Sequence, residues 1–153
     1  VREHETRTFL VLPFLQSLGW REEQVKIELP VRMGKSTGRA DVVCFGQDWK
    51  GAAKAGKPAL VIETKGFSIG LKLAGVQAAE YAMALNCDWA VASNGYCYKV
   101  LQRLGPEKEP GKAYRPVAYL SIRRPTDRYP LDPGAVAGAA EALQLLLPPK
   151  YLG

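Results

Sequence analysis

A glutamate lies inside a run of apolar, β-branched residues, and its position constrains the fold of this chain more than any other feature. The run spans Ala59 to Gly66 and contains Glu63, and an earlier run, Arg39 to Phe45, carries Asp41 near its start. Short β-branched runs bounded by Gly and Pro are typical of strands buried in a sheet. The sequence therefore predicts two neighbouring strands that each bring a carboxylate into an apolar environment.

These carboxylates indicate a metal site. Burying a carboxylate costs several kcal/mol unless a partner or a metal compensates, and two converging carboxylates repel each other. A divalent cation removes that repulsion, so we expect Asp41, Glu63 and the main-chain carbonyl of Thr64 to ligate Mg²⁺. Lys65 points the same way as Glu63 because side chains alternate along a strand, and it can orient a metal-bound water. In the alternative interpretation Asp41 is a turn residue and Lys65 is a solvated partner of Glu63.

Composition narrows the class of protein. A chain of 153 residues predicts one domain, and a net charge of +6 favours a phosphate-bearing partner without proving one. A single histidine, His4, argues against a zinc site or a Ser/His/Asp triad. Since no run approaches the length of a membrane span, we expect no span, and we expect no signal peptide before the first helix. The three cysteines lack CxxC spacing, which predicts reduced thiols and a cytoplasmic location.

Hydrophobic periodicity predicts an alternation of helices and strands. Pro13 is expected to kink or break the first helix, and Asn94-Gly95 predicts a hairpin turn. A Gly34-Lys35-Ser36-Thr37 stretch lacks the earlier glycine and the following helix of a phosphate-binding loop, so that function is rejected. The predicted helices are Arg2 to Leu18, Leu71 to Leu85 and Asp132 to Leu147; the further strands are Gln24 to Val31, Asp88 to Ser93, Tyr96 to Leu101 and Val117 to Ile122.

The charged residues also carry a family resemblance. Asp41 followed by Glu63-Thr64-Lys65 resembles the D…ExK core of the PD-(D/E)xK nuclease superfamily, and Gln77 to Tyr81 is similar to the QxxxY helix motif of RecB-like nucleases. Ala40 departs from the proline in the superfamily's name. Three further segments resemble the N-terminal nuclease domain of type I restriction enzyme motor subunits. They are Glu3-His4-Glu5-Thr6-Arg7, Leu12 to Trp20, and Ser93-Asn94-Gly95.

The resemblance implies an α/β fold with a restriction-endonuclease-like core, in which a mixed β-sheet is flanked by helices. We expect one domain over residues 1–153, with its core at about 3–102 and a C-terminal strand and Ala/Leu-rich helix at 117–147. The implied activity is a divalent-metal-dependent DNA endonuclease that uses Mg²⁺, for which Mn²⁺ can substitute. Its implied catalytic residues are Asp41, Glu63, Lys65 and Gln77, supported by Tyr81.

Several assignments keep an alternative at this point. The resemblance places Glu3 near the metal, but an i,i+4 pair with Arg7 explains it equally well. Gln77 is either aimed at the site or a structural amide. The basic residues proposed to contact DNA are equally explained as solvated surface charges; they are Arg39, Lys50, Lys54 and Lys57.

The expected partners are DNA and, through the resemblance, a helicase or translocase motor domain or other restriction-modification subunits. The Ala/Leu helix is nearly uncharged, so its apolar surface is expected to be buried. We expect it to pack against the core, against a second copy in a homo-oligomer or against a following domain. The alternative function is a catalytically silent module of the same fold that binds nucleic acid or protein. A structural assembly module that dimerises through the Ala/Leu helix is a third, more distant hypothesis.

Overall fold

The computed structural model describes residues 3–51, 56–66 and 71–149, with side chains from Glu5 onward. Lys54, the link at residues 67–70 and the side chains of Glu3 and His4 therefore lie outside the description. The elements are α1 (Glu3–Thr6), a π-helical turn (Arg7–Val11), α2 (Leu12–Ser17), a 3₁₀ turn (Glu22–Gln24), β1 (Val25–Met33), β2 (Ser36–Phe45), β3 (Pro58–Thr64), α3 (Leu71–Ala84), β4 (Trp89–Ser93), β5 (Cys97–Arg103), α4 (Pro110–Ala113), β6 (Tyr114–Ser121) and α5 (Ala139–Leu146).

The sheet is mixed and follows chain order, β1-β2-β3-β4-β5-β6. Neighbouring strands are antiparallel except β3 and β4, which are parallel and are joined through α3. The first three strands therefore form an antiparallel meander, and α3 makes the crossover between the two parallel strands. The two edge strands, β1 and β6, each contain a proline, Pro30 and Pro116.

Each face of the sheet carries its own apolar cluster. One cluster packs beneath the N-terminal helical run and α5, and the other packs beneath α3. The α3 cluster is built mainly of small residues on the helix side, which lets that helix approach the strands closely. Its buried helix residues are Ala74, Gly75, Ala78, Ala79 and Ala82. Helices thus cover both faces of the mixed sheet, as predicted for an α/β, restriction-endonuclease-like core.

The N-terminal helical run accommodates Pro13 without ending. The Leu12 N–H donates to the Arg7 carbonyl, five residues back, so the turn from Arg7 to Val11 is wider than an α-turn. α2 then begins at Leu12 and has Pro13 in its first turn, where a missing N–H costs little. The predicted break is therefore replaced by a π-turn, and such turns are often found at functional sites.

The C-terminal helix begins at Ala139, later than the predicted start at Asp132-Pro133. Ala137 forms a parallel bridge with Ala118, and its N–H and carbonyl bond to Val117 and Tyr119 on β6. Backbone hydrogen bonds to a sheet edge thus outweigh the Asp-Pro start signal, helped by the low helix propensity of Gly138.

Two further predictions concern burial and membrane spans. Cys44 and Cys87 are buried and Cys97 is half-buried, and all three are free thiols. Among the helices that the structure describes, none is long and apolar enough to cross a membrane.

Candidate active site

Asp41 and Glu63 meet where β2 and β3 run side by side. Val42 pairs with Ile62 in the antiparallel register, so one further step brings Asp41 across from Glu63. Glu63 is only 3% exposed although it carries a carboxylate, and Asp41 is half-buried. The predicted convergence of two acidic groups from neighbouring strands is therefore present.

Hydrogen bonds fix the orientation of both carboxylates. The Asp41 N–H donates to Glu63 Oε1 at 3.0 Å. Asp41 Oδ2 accepts from the Thr64 N–H at 2.8 Å and from the Thr64 hydroxyl at 3.0 Å. Hydrogen bonds to charged acceptors are stronger than neutral ones and offset part of the desolvation of a buried carboxylate. The pair thus has a preorganised geometry within the protein.

A bend in the β1–β2 hairpin accompanies this arrangement. Ala40 belongs to the cluster beneath α3, whereas Val42 belongs to the cluster on the other face, so the alternation of β2 changes at Asp41. On β1, Glu28 lies opposite Asp41 and has a φ of 51°, a conformation that costs energy for a non-glycine residue. The bend explains how Asp41 reaches the Thr64 hydroxyl.

The N-terminal helical run supports the bend from the other side. Arg7, in the π-turn, is 5% exposed, and its Nη1 lies 3.5 Å from Glu28 Oε1. The Gly95 turn after β4 packs on the same helix, because a Cβ at Gly95 would lie 2.9 Å from Leu10 Cβ. The sequence placed Arg7 in the N-terminal segment that carries the resemblance and offered it as a possible partner of Glu3, but it held no signal for the burial of Arg7 or its pairing with Glu28.

Tyr81 on α3 closes the site above the carboxylates. Its pKa is raised above the usual value for tyrosine, first by burial and then by the negative charge of Glu63, with a smaller contribution from Asp41. A backbone hydrogen bond to Arg39 acts in the opposite direction. Gly38 leaves room for the ring, since a Cβ there would lie 2.9 Å from Tyr81 Cε1. Tyr81 is thus a neighbour of both acids.

Lys65 directly follows β3, and Gln77 lies on α3, the helix that carries Tyr81. The Lys65 N–H donates to the Ser93 carbonyl at 2.9 Å, which ties the end of β3 to β4, and its side chain is half-buried. Gln77 is half-buried on α3, one helical turn before Tyr81. Their catalytic roles stay predictions, as do those of Asp41, Glu63 and Tyr81.

The donor set suits a hard cation. Asp41 and Glu63 offer carboxylate oxygens, and Mg²⁺ is commonly held by one or two carboxylates while it keeps several waters. Among the residues whose side chains are described, no group of three or more Asp, Glu, His or Cys side chains is placed to hold a metal. Asp41, Glu63 and the Thr64 carbonyl therefore form the described part of the expected ligand set. The side chain of Glu3 lies outside the described residues, so both interpretations of Glu3, near the metal or paired with Arg7, stay predictions.

The predicted DNA contacts fall at both ends of the sheet. Arg39 is exposed two residues before Asp41, at the acidic end. Lys50 and Lys57 are exposed on the connection from β2 to β3, which lies at the other end of β3, about 17 Å from Glu63 at about 3.3 Å per residue. Lys57 is also paired with Asp88 at 3.0 Å. Only Arg39 lies near the acids; Lys54 falls outside the described residues.

Lys99 on β5 is a charged residue that sequence analysis did not assign to the site. It is 6% exposed, and it lies over the Tyr129 ring with Nζ 5.7 Å from the ring centroid. One sequence signal points to its position: alternation in β5 places Lys99 on the same face as Leu101, which is buried.

Comparisons with known proteins agree with the overall fold. Residues 2–114 match the family model described as the type I restriction enzyme R protein N terminus (HSDR_N). A solved fragment structure assigned as an HsdR subunit of a type I restriction enzyme from Vibrio vulnificus YJ016 is similar in fold, with a TM-score of 0.50 and 19% sequence identity. The similarity covers 76% of this chain and 23% of that one. Comparison with curated proteins gave no significant match.

Proposed function

The chain belongs to the family of type I restriction enzyme R protein N termini, and we propose that it is a divalent-metal-dependent nuclease module that hydrolyses phosphodiester bonds in DNA. One observation carries the proposal. Glu63 is only 3% exposed, and its carboxylate accepts a hydrogen bond from the backbone N–H of the second acid, Asp41, on the neighbouring strand. A buried acidic pair beside a lysine lowers the stability of the fold, so stability alone does not explain it. The same arrangement suits a phosphoryl-transfer site. The resemblance to the PD-(D/E)xK pattern supports the same chemistry.

In the proposed site Asp41 and Glu63, with the Thr64 carbonyl, hold Mg²⁺ or Mn²⁺. When bound, the metal supplies a water of lowered pKa and neutralises charge on the phosphate. Lys65 orients the attacking water and stabilises negative charge on the phosphate oxygens. Gln77 positions the phosphate or a ligand, and Tyr81 packs above the acids and keeps their orientation.

The partners follow from the family. This chain spans 23% of the HsdR fragment that it resembles, so a motor domain and the other restriction-modification subunits are part of the proposal. DNA is the proposed substrate, and the cytoplasm, where such a substrate is found, is the proposed location. A charge of +6 supports binding to a phosphate backbone but does not specify a sequence.

The decisive experiment combines metal binding with DNA cleavage. We expect isothermal titration calorimetry to show saturable Mn²⁺ binding that Asp41→Asn and Glu63→Gln each abolish. We expect Lys65→Ala to keep metal binding but to lower plasmid cleavage by about 10²-fold or more, the usual scale for a lost charge-stabilising group. Asp48→Asn, an exposed acid at the other end of β2, serves as the matched control.

The outcome separates this proposal from a silent module. Unchanged Mn²⁺ binding in both acid variants, with circular dichroism showing a native fold, would make the pair structural and overturn the proposal. Because an isolated module could need its motor in order to cut, metal binding decides the site before cleavage is considered.

A further inference from the structure

Lys99 shares a face of the sheet with the acidic pair. Glu63 is in register with Ala92 on β4, and Ala92 is in register with Lys99 on β5. Two residues earlier along β3, the neighbouring row Val61, Ala90 and Leu101 belongs to the cluster beneath α3. Side chains two residues apart on a strand point the same way, so the row of Glu63 and Lys99 also faces α3.

The spacing of that row places the two charges within reach of one substrate. Two strand spacings of about 4.8 Å put the Cα atoms of Glu63 and Lys99 about 10 Å apart, with only the methyl group of Ala92 between them. Gly75 on α3 leaves room for the lysine, because a Cβ there would lie 3.1 Å from Lys99 Nζ. The ammonium is therefore held under α3, beside the site and not within it.

The surroundings of the ammonium are positive and apolar. Lys99 has no hydrogen bond to, or ion pair with, a carboxylate in the part of the chain that the structure describes; its contact is with the Tyr129 ring at 5.7 Å. Its pKa is lowered from the usual value for lysine, first by burial and then by the charge of Lys72. A buried ammonium without an anion is costly, so the arrangement calls for an anionic ligand.

We propose that Lys99 binds a phosphate of the nucleic-acid backbone next to the phosphate that the metal at Asp41 and Glu63 would engage. This inference rests on the proposed function, since it takes DNA to be the substrate. Successive phosphates of one strand lie closer together than the two Cα atoms, which are about 10 Å apart, and the long, flexible lysine side chain spans the difference. A lysine ammonium acts as a point charge on phosphate, so its role is to fix the register of the strand across the site.

The test measures DNA binding at several salt concentrations without divalent metal. Lys99→Met keeps the aliphatic stem and removes the charge. We expect fluorescence anisotropy with a short labelled duplex to show about tenfold weaker binding and a slope of log K against log salt smaller by about 0.9, the value for one lost phosphate contact. Lys112→Met is the matched control, because Lys112 is exposed and paired with Glu109 at 3.3 Å.

Thermal melting distinguishes a ligand-binding lysine from a structural one. If Lys99 is held for a ligand, Lys99→Met should melt a few degrees higher, because it removes an uncompensated buried charge. A lower melting temperature with an unchanged salt slope would make Lys99 a structural partner of Tyr129 and overturn the inference. Lys99→Gln, a shorter uncharged replacement, repeats the binding test if the methionine does not fit under α3.

Other outcomes separate this inference from the proposed function. Native-like duplex binding and slope in Lys99→Met, with metal binding still lost in Glu63→Gln, would overturn the role of Lys99 and leave the nuclease proposal standing. Tight binding of inorganic phosphate or ATP that Lys99→Met abolishes, with duplex affinity unchanged, would assign the lysine to a free anion instead. No duplex binding by the native protein at low salt would overturn the role of Lys99, while the Mn²⁺-binding test would still decide the nuclease proposal.

Discussion

At one end of β3, Lys57 and Asp88 form an ion pair of 3.0 Å in which each side chain is about half exposed. At the other end Glu63 is 3% exposed and accepts a hydrogen bond from the backbone of Asp41. The same strand therefore carries a solvated charge pair and a buried charged network. The exposed ion pair adds little to the stability of the fold, since such pairs contribute about 0–1 kcal/mol. The buried network depends on every one of its hydrogen-bonding groups staying in place.

That contrast has a functional meaning. Burial and fixed hydrogen bonds at the Glu63 end resist rearrangement, which a reacting group requires and a solubilising surface pair does not. The difference also separates the predicted DNA contacts, because Arg39 lies at the buried end, whereas Lys50 and Lys57 lie at the solvated one. Three experiments test how far the contrast holds, beginning with the largest expected change in stability.

Gly95→Ala should be the most destabilising of these changes. Gly95 has a φ of 94°, and an added Cβ would lie 2.9 Å from Leu10 Cβ in the helical run that supports the site. Backbone strain and overpacking together should lower the free energy of unfolding by about 3 kcal/mol. Urea unfolding followed by circular dichroism measures the change.

The other end of the sheet supplies the matched control. Gly51 has a φ of 102° but nothing within 4 Å of an added Cβ, so Gly51→Ala should show only the backbone cost of about 1 kcal/mol. An equal loss of unfolding free energy in the two variants would mean that close packing against Leu10 contributes nothing. The two ends of the sheet would then not differ in how tightly they are packed.

Thr64→Val should have an intermediate effect. It keeps the shape of the side chain but removes the hydroxyl that donates to Asp41 Oδ2 at 3.0 Å. Loss of a hydrogen bond to a charged group should lower the free energy of unfolding by about 2 kcal/mol. It should also weaken Mn²⁺ binding in calorimetry, since Asp41 loses part of its orientation.

Thr64→Ser restores the donor and should return most of the metal affinity. Native metal affinity in Thr64→Val would show that the hydroxyl only stabilises the fold, and the proposed coupling between orientation and metal binding would be wrong.

Lys57→Ala and Asp88→Ala should change stability least. Each removes an exposed partner of the pair, and we expect less than about 0.5 kcal/mol for either change at moderate salt. A double-mutant cycle by urea unfolding measures the coupling directly. A coupling above 2 kcal/mol, or one that persists at high salt, would show that the solvated end is as strongly held as the buried one.

The sequence predicted the parts of this site that local pattern controls. The strands around Asp41 and Glu63 are strongly apolar and β-branched, so their existence and their charged positions follow from periodicity. The Asn94-Gly95 turn and the helix that carries Gln77 and Tyr81 follow from equally local signals. Such features need no knowledge of distant contacts.

Other parts depend on contacts that a sequence does not display. The sequence leaves Lys99 open between a nucleic-acid contact and packing in the strand, and only the register across β3, β4 and β5 places it beside Glu63. The bend at Glu28 and Asp41 depends on the packing of the hairpin against α3, and the late start of α5 depends on Ala137 bonding to β6. In each case a tertiary interaction outweighs local preference.

The prolines in the two edge strands have a consequence for self-association. An edge strand offers unpaired backbone groups to any other chain, and long exposed edges promote aggregation. Pro30 removes a backbone donor from β1, and Pro116 removes one from β6, whose edge is also bridged by Ala137. The sheet is therefore poorly suited to growth by adding strands from a neighbour, and self-association through its edges is disfavoured.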